Sequence, residues 1–174
     1  HRVLQWIKKD ISNEFLIQQA EELYARSYQN KAGYELPAND KGAEIFKNII
    51  EPFKGKYVFV DFWGIFCGPC IRGIKEMKET RKAFENSEDA VFVFITSDKE
   101  SPLDRYNTLV EEQELSNTHR LDYNEYLYLR QLFRFNAIPR YILVSREGRI
   151  LNEHFQMHNF DSELHRLLGK EQKQ

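Results

Sequence analysis

Cysteine is scarce in this 174-residue sequence: there are only two, Cys67 and Cys70, three positions apart. They exclude a structural disulfide framework, because neither has another cysteine partner within the chain. They also disfavour a zinc site, which would need two further ligands from elsewhere or from a second chain. The histidines supply none, since His154 and His158 fall in a predicted strand and a predicted loop rather than on one helix face. We therefore expect no metal.

An excess of charge of either sign is also missing. The chain has 25 Lys and Arg against 27 Asp and Glu, a formal net charge of -2. This balance, with no basic patch interleaved with aromatic residues, gives no indication of nucleic-acid or anionic-membrane binding. No apolar run reaches the 18 residues of a transmembrane helix, and no secretory leader pattern is present. Because the chain begins at His1, we expect a fragment or a mature form, and any export signal or membrane tether would lie outside it.

The hydrophobic content of 41% is ordinary for a globular protein, and the length suits one domain with an extension. Apolar residues recur every three or four positions in residues 3–28, which predicts one or two amphipathic helices. These helices would pack on the domain or on a missing upstream part, or bind a partner protein. We divide the chain into an N-terminal helical extension and linker, residues 1–50, and the domain itself, residues 51–174. Oligomeric state is left open.

The most informative stretch is residues 57–70, YVFVDFWGIFCGPC. Its β-branched and aromatic start is typical of a strand buried on both faces. A helical pattern begins at the second cysteine and runs to about residue 86. Two thiols three residues apart at a helix start can form a disulfide by a small rotation, and the helix N-terminus favours a thiolate on the first. This is the chemistry of a dithiol exchange site.

The rest of the pattern predicts an α/β fold with an antiparallel edge. Ser101 and Asp122 are the expected caps of its two middle helices. In order, we predict a strand at 90–96, helices at 102–112 and 121–135, strands at 141–145 and 149–155 joined by a turn, and a closing helix at 161–168.

The residues VDFWG and CGPC resemble the thioredoxin active-site segment. With GKYVFVDFW before the motif and AIPRYILVSREGRI at residues 137–150, the chain resembles the TlpA/ResA-like thioredoxin-fold proteins of the bacterial cell envelope. The resemblance covers roughly residues 54–170. It implies a thioredoxin fold, in which helices flank a central mixed sheet, and a place in the periplasm or cell envelope of a bacterium.

The resemblance also implies a thiol:disulfide oxidoreductase that needs no cofactor besides its own cysteine pair. Cys67 would be the attacking thiol, and Cys70, one turn further in, the resolving thiol. Gly68 and Pro69 between them resemble the reducing thioredoxins, so we expect reduction of protein disulfides and an upstream redox partner that recharges the site. An isomerase or oxidant is the alternative within redox chemistry. A non-enzymatic interaction module on the same fold is the alternative outside it.

Four residues besides the motif are candidates for substrate binding. Ile138 and Pro139 match the pair opposite the active site in thioredoxins, where the proline is cis. The Ile138 backbone would then pair with an extended substrate strand. Trp63 would pack under the site loop, and Phe66 would form an apolar lip, although family members commonly carry Trp directly before the first cysteine. Both aromatic residues could equally be plain core residues.

Asp61 is the one ionisable residue of the central strand. The resemblance places it beneath the cysteines as the buried acid of thioredoxins, where burial would raise its pKa. It would then take the proton from Cys70 through a water. The neighbouring strand supplies no lysine, which thioredoxins commonly place there as a partner, so we expect Asp61 to titrate higher than with that pair intact. The alternative is an aspartate that reaches water and only supports the loop.

Overall fold

A five-stranded mixed sheet lies at the centre of the computed structural model, which describes residues 33–171. The predicted helices at 3–28 lie outside the described residues. In chain order the elements are α1 (Lys41–Ile50), a 3₁₀ turn (Glu51–Phe53), β1 (Tyr57–Phe62), α2 (Gly68–Glu76), α3 (Lys78–Ala83), β2 (Ala90–Ser97), α4 (Leu103–Glu112), β3 (Thr118–Leu121), α5 (Tyr123–Leu132), β4 (Arg140–Val144), β5 (Ile150–Asn152), a 3₁₀ turn (Met157–Asn159) and α6 (Phe160–Glu171).

The strand order is β3-β2-β1-β4-β5. The first three strands are mutually parallel, whereas β4 runs antiparallel to β1 and β5 antiparallel to β4. A parallel βαβ half is thus followed by a hairpin and a helix, which is the arrangement that the resemblance implied. None of the helices in the described part of the chain is long and apolar enough to cross a membrane.

Strand β1 is buried along its whole length, because it lies in the middle of the sheet with helices over both faces. Alternation along the strand sends Val58, Val60 and Phe62 into a core beneath α1 and α5. Phe59 points to the opposite face, into a core shared with α2, α4 and α6. Helix α1, which we had grouped with the N-terminal extension, contributes Phe46 to the first core.

The helix predicted from the second cysteine to about residue 86 is wrong in its length, because it is divided into α2 and α3. The division falls at Met77, whose backbone lies at φ -85° and ψ 3°. Carbonyls in the last turn of a helix lack partners within it. Here the Arg81 side chain folds back and donates to the carbonyl of Ile74 in that last turn.

Three further predictions need correction. The short strand β3 was not predicted, and α5 begins only after it, although its cap Asp122 is confirmed by a 2.8 Å bond from the Asn124 backbone N–H. Ser101 does not cap α4; its hydroxyl lies 2.8 Å from that of Thr96 and accepts the Ile65 backbone N–H at 3.2 Å. β5 is shorter than expected, because the Asn152 side chain accepts the backbone N–H two residues on and starts a turn.

Candidate active site

Cys67 and Cys70 form a disulfide at the start of α2, with a Cα–Cα distance of 5.2 Å. Cys67 is the N-cap of the helix, and its Sγ accepts the backbone N–H of Cys70 at 3.2 Å. Pro69 occupies the first turn, where its missing N–H costs nothing. Cys70 is fully buried, whereas Cys67 is half-buried and Gly68 and Pro69 are exposed. Reagents can therefore reach the pair from the Cys67 side.

The loop before β4 stands directly against Cys67. The Ile138–Pro139 peptide bond is cis, as predicted, and the Ile138 carbonyl oxygen lies 3.6 Å from Cys67 Sγ. Gly64 leaves room for the Ile138 side chain, since a Cβ there would lie 3.0 Å from Cδ1 of Ile138 and 3.1 Å from Cβ of Glu100.

The two candidate aromatic residues differ in position. Trp63 is fully buried and stacks on Tyr106 with ring centroids 6.0 Å apart. It lies under the site loop, so any effect on substrate passes through other residues. Phe66 is 65% exposed, and the Arg105 guanidinium lies 5.4 Å from its ring centroid. Of the two, only Phe66 offers an apolar surface to another molecule.

Asp61 is only 3% exposed, so the alternative in which it reaches bulk water is wrong. Alternation places its side chain on the Phe59 face of β1, the face on which Cys70 is also buried. Burial raises the pKa of Asp61 from 3.8 to about 8, although the positive charge of Arg81 acts to lower it. The direction agrees with the sequence-based expectation. A group with this pKa exchanges a proton readily near neutral pH.

A small cavity adjoins Asp61 on this face of the sheet, and Gly73, Arg81 and Tyr141 also line it. A Cβ at Gly73 would lie 3.1 Å from the Tyr141 hydroxyl oxygen, which accounts for a glycine within α2. Burial raises the pKa of Tyr141, and the Asp61 charge raises it further. Tyr141 is therefore a neutral neighbour at physiological pH. Within residues 33–171 no group of three or more His, Cys, Asp or Glu side chains could hold a metal ion.

Comparison with known proteins agrees with this geometry. The family model described as Redoxin matches residues 31–165. The chain belongs to the Redoxin family. With its paired cysteines, this Redoxin protein is a thioredoxin-like oxidoreductase, a class that uses no external cofactor. No curated protein matches the chain significantly.

Solved structures similar to this Redoxin protein share its fold. One is the thioredoxin domain of a thiol-disulfide oxidoreductase from Bacteroides vulgatus, with 24% identity and a TM-score of 0.57, covering 66% of this chain and 82% of that one. A thiol:disulfide interchange protein from Bacteroides sp. has 23% identity and a TM-score of 0.59 over 67% and 76%. An exposed lipoprotein thioredoxin from Streptococcus pneumoniae has 18% identity and a TM-score of 0.53 over 67% and 89%. They confirm the thioredoxin fold.

Arg81 of this Redoxin protein is not among the site residues that we predicted from the sequence. We had expected no cation beside Asp61 because β2 carries no lysine, but a cation comes from α3 instead. A signal was present, since the stripe of otherwise apolar residues that continues along α2 and α3 has an arginine in one of its positions. Its members, spaced by four, three, four and three, are Cys70, Ile74, Met77, Arg81 and Phe84. A charged residue on an apolar stripe predicts a buried charge with a partner.

Proposed function

We propose that this Redoxin protein is a TlpA/ResA-like oxidoreductase that reduces protein disulfides in the bacterial cell envelope. The observation that carries the proposal is the asymmetry of the cysteine pair. Cys67 is at the N-terminus of α2, half-buried beside the exposed Phe66, whereas Cys70 is fully buried on the Asp61 side. One sulfur can thus meet an incoming disulfide while the other is kept for the second step.

These positions support the following reaction. The Cys67 thiolate attacks one sulfur of the substrate disulfide, forms a mixed disulfide and releases the first substrate thiolate. Asp61 then takes the proton of the Cys70 thiol, and the resulting thiolate attacks Cys67 Sγ. This forms the Cys67–Cys70 disulfide and releases the second substrate thiolate. Two electrons pass to the substrate, and an upstream dithiol partner must return them.

The residues around Cys67 favour protein substrates over small disulfides. The Ile138 carbonyl beside the sulfur is a backbone acceptor for an extended substrate segment, which Pro139 would help to position. Phe66 would cover apolar residues next to the substrate cysteine, with Trp63 supporting the loop from below. The cell-envelope location is supported by the sequence resemblance and by the name of the Streptococcus pneumoniae neighbour, an exposed lipoprotein thioredoxin.

Trapping tests the proposed reaction. A Cys70→Ser variant should accumulate mixed disulfides with other proteins through Cys67, because the second attack is lost. The matched control is the double variant Cys67→Ser/Cys70→Ser, which should trap nothing. If Cys70→Ser also traps nothing and the wild type does not reduce insulin, the protein is an interaction module rather than a reductase.

The direction of electron flow needs a separate measurement. Equilibration of the Cys67–Cys70 pair with glutathione redox buffers gives its reduction potential. A value near the roughly -270 mV of thioredoxin supports a reductant, whereas one near the roughly -120 mV of DsbA would reject that role in favour of an oxidant.

A further inference from the structure

Two buried polar atoms without hydrogen-bond partners belong to side chains that line the cavity beside Asp61. They are Oδ1 of Asp61 and Nε of Arg81, neither of which has a partner among the described residues. The cavity has a volume of about 10 Å³, close to the smallest space that holds one water. A single water there would accept from the Arg81 Nε–H and donate to Asp61 Oδ1. A buried donor or acceptor without a partner lowers the stability of the fold. Because these two atoms belong to side chains that line the same cavity, we expect them to interact with each other through it.

Arg81 is held at this position from three sides. One terminal nitrogen donates to the Ile74 carbonyl at the end of α2, and the other donates to the Gln113 carbonyl after α4 at 2.9 Å. The guanidinium carbon lies 5.6 Å from the ring centroid of Phe94 on β2. Each terminal nitrogen thus has a carbonyl acceptor, whereas Nε is the buried guanidinium nitrogen without one, on a side chain that lines the cavity with Asp61. A guanidinium is not deprotonated in proteins, so the charge is permanent.

We propose that Arg81 is a positioning residue of the exchange site, the fixed cation that faces Asp61 across this cavity and keeps its carboxylate available as the base for Cys70. The inference rests on the proposed function, in which Asp61 accepts the Cys70 proton. Arg81 touches neither the substrate nor the sulfurs, and it acts through Asp61. Because α2 carries Cys70 and its last turn accepts from Arg81, the same side chain ties the thiol's helix to the base.

Among residues 33–171, no other permanent charge faces Asp61 from the elements packed against it. Tyr141 on β4 and, from the other side of the sheet, Tyr126 on α5 sense the carboxylate, but burial raises the pKa of each phenol, so both stay neutral. β2 presents Phe92 and Phe94 to the cavity, and the remaining wall is apolar. Within the described structure, Arg81 is therefore the charge that opposes the desolvation of Asp61.

The test is the pH dependence of the Cys70 step alone. Reduced protein should react with dithiobis(nitrobenzoate) in two phases. The first is attack by Cys67, which depends on reagent concentration, and the second is resolution of the adduct by Cys70, which does not. We expect the second phase of the wild type to rise with a midpoint near pH 8, the pKa of Asp61. Arg81→Gln should move that midpoint up by about one unit and slow the step about tenfold at pH 7.

Two variants separate charge from structure. Arg81→Lys keeps the charge and should keep the midpoint near that of the wild type. Lys82→Gln removes the next cation on α3, which is exposed and paired with Glu114, and should leave the midpoint unchanged. An Arg81→Gln midpoint equal to that of the wild type, with a normal second phase, overturns the role of Arg81 and leaves the proposed function intact. A wild type without a second phase overturns the proposed function itself.

A measurement on the oxidised wild type decides the pairing even if Arg81→Gln fails to fold. In protein labelled at arginine and aspartate, the Arg81 Nε resonance should titrate with the same midpoint as the Asp61 carboxyl carbon. The Arg81 titration should vanish in Asp61→Asn. An Arg81 resonance that does not respond to the Asp61 titration rules out the pairing, whatever the activity shows.

Discussion

The variant Asp61→Asn measures how much burial of an acid beneath the active-site helix lowers the free energy of unfolding. Burial raises the pKa of Asp61 from 3.8 to about 8. Between those two pH values the folded protein keeps a proton that the unfolded chain has lost. The folded state therefore binds more protons in this window, so the free energy of unfolding must fall as the pH rises through it. The stability that the proton on Asp61 gives to the folded state is fully present below pH 3.8 and is lost above pH 8.

The size of the effect follows from the two pKa values. One pKa unit is worth about 1.36 kcal/mol, so the whole window accounts for about 6 kcal/mol of the free energy of unfolding. The part lost between pH 5 and pH 9 is about 4 kcal/mol. Asparagine has a similar shape and cannot ionise. The free energy of unfolding of Asp61→Asn, relative to that of the wild type, should therefore increase by about 4 kcal/mol between pH 5 and pH 9.

Urea unfolding of the oxidised proteins at pH 5, 7 and 9 measures this difference, since the closed disulfide keeps the two thiols from titrating. Asp104→Asn is the matched control, because it makes the same chemical change at an exposed position of α4. Its stability should follow the wild type across the series. Parallel curves for the wild type and Asp61→Asn would refute the reasoning, because Asp61 would then have the same proton affinity in the folded and unfolded states.

Three further outcomes are expected. In the reduced protein near neutral pH, Cys67 should react with iodoacetamide at least about ten times faster than Cys70, which is fully buried; equal rates in peptide mapping would contradict the assignment. Phe66→Ala should lower kcat/KM for insulin about tenfold through lost apolar contact and leave the reduction of glutathione disulfide unchanged. Tyr128→Ala, at another exposed aromatic residue, is the control. A loss of activity with both substrates would show that Phe66 acts on the thiols instead. Gly42→Ala should lower the free energy of unfolding by about 1–3 kcal/mol, since a Cβ there would lie 2.5 Å from the Tyr128 carbonyl oxygen; an unchanged urea midpoint would show that α1 and α5 separate freely.

The buried centre of the fold was predictable from sequence because its signals are local. Apolar runs mark β1 and β2, the CGPC motif marks the start of α2, and an Asx cap marks α5. The short β3, with the sequence THRL, has no apolar run and is half-buried at the edge of the sheet. Its pairing with β2 makes it a strand, and pairing between distant segments leaves no local pattern.

The candidate site likewise contains residues that local sequence predicts and residues that only the fold brings into place. The cysteines, Asp61 and the cis proline lie in recognisable segments, whereas Arg81 lies among other charged residues in KETRKAFE and is marked only by its position on the stripe through α2 and α3. Its burial depends on the break at Met77 and on carbonyls from α2 and the turn after α4. Ser101 was misassigned as a cap for a similar reason, since its hydroxyl bonds to residues brought near by the fold rather than by the sequence.

The alternation along β1 gives the two faces of the sheet different tasks. Phe59 and Asp61 face the layer that holds Cys70, while Val58, Val60 and Phe62 face the layer under α1 and α5. The sheet thus acts as a partition between a reactive compartment and a purely supporting one. Protein engineers could repack the second compartment to adjust thermal stability without altering redox chemistry. A one-residue insertion in β1 before Asp61 would instead alter the redox chemistry, because it would turn the Asp61 side chain to the face of the sheet that has no cysteine.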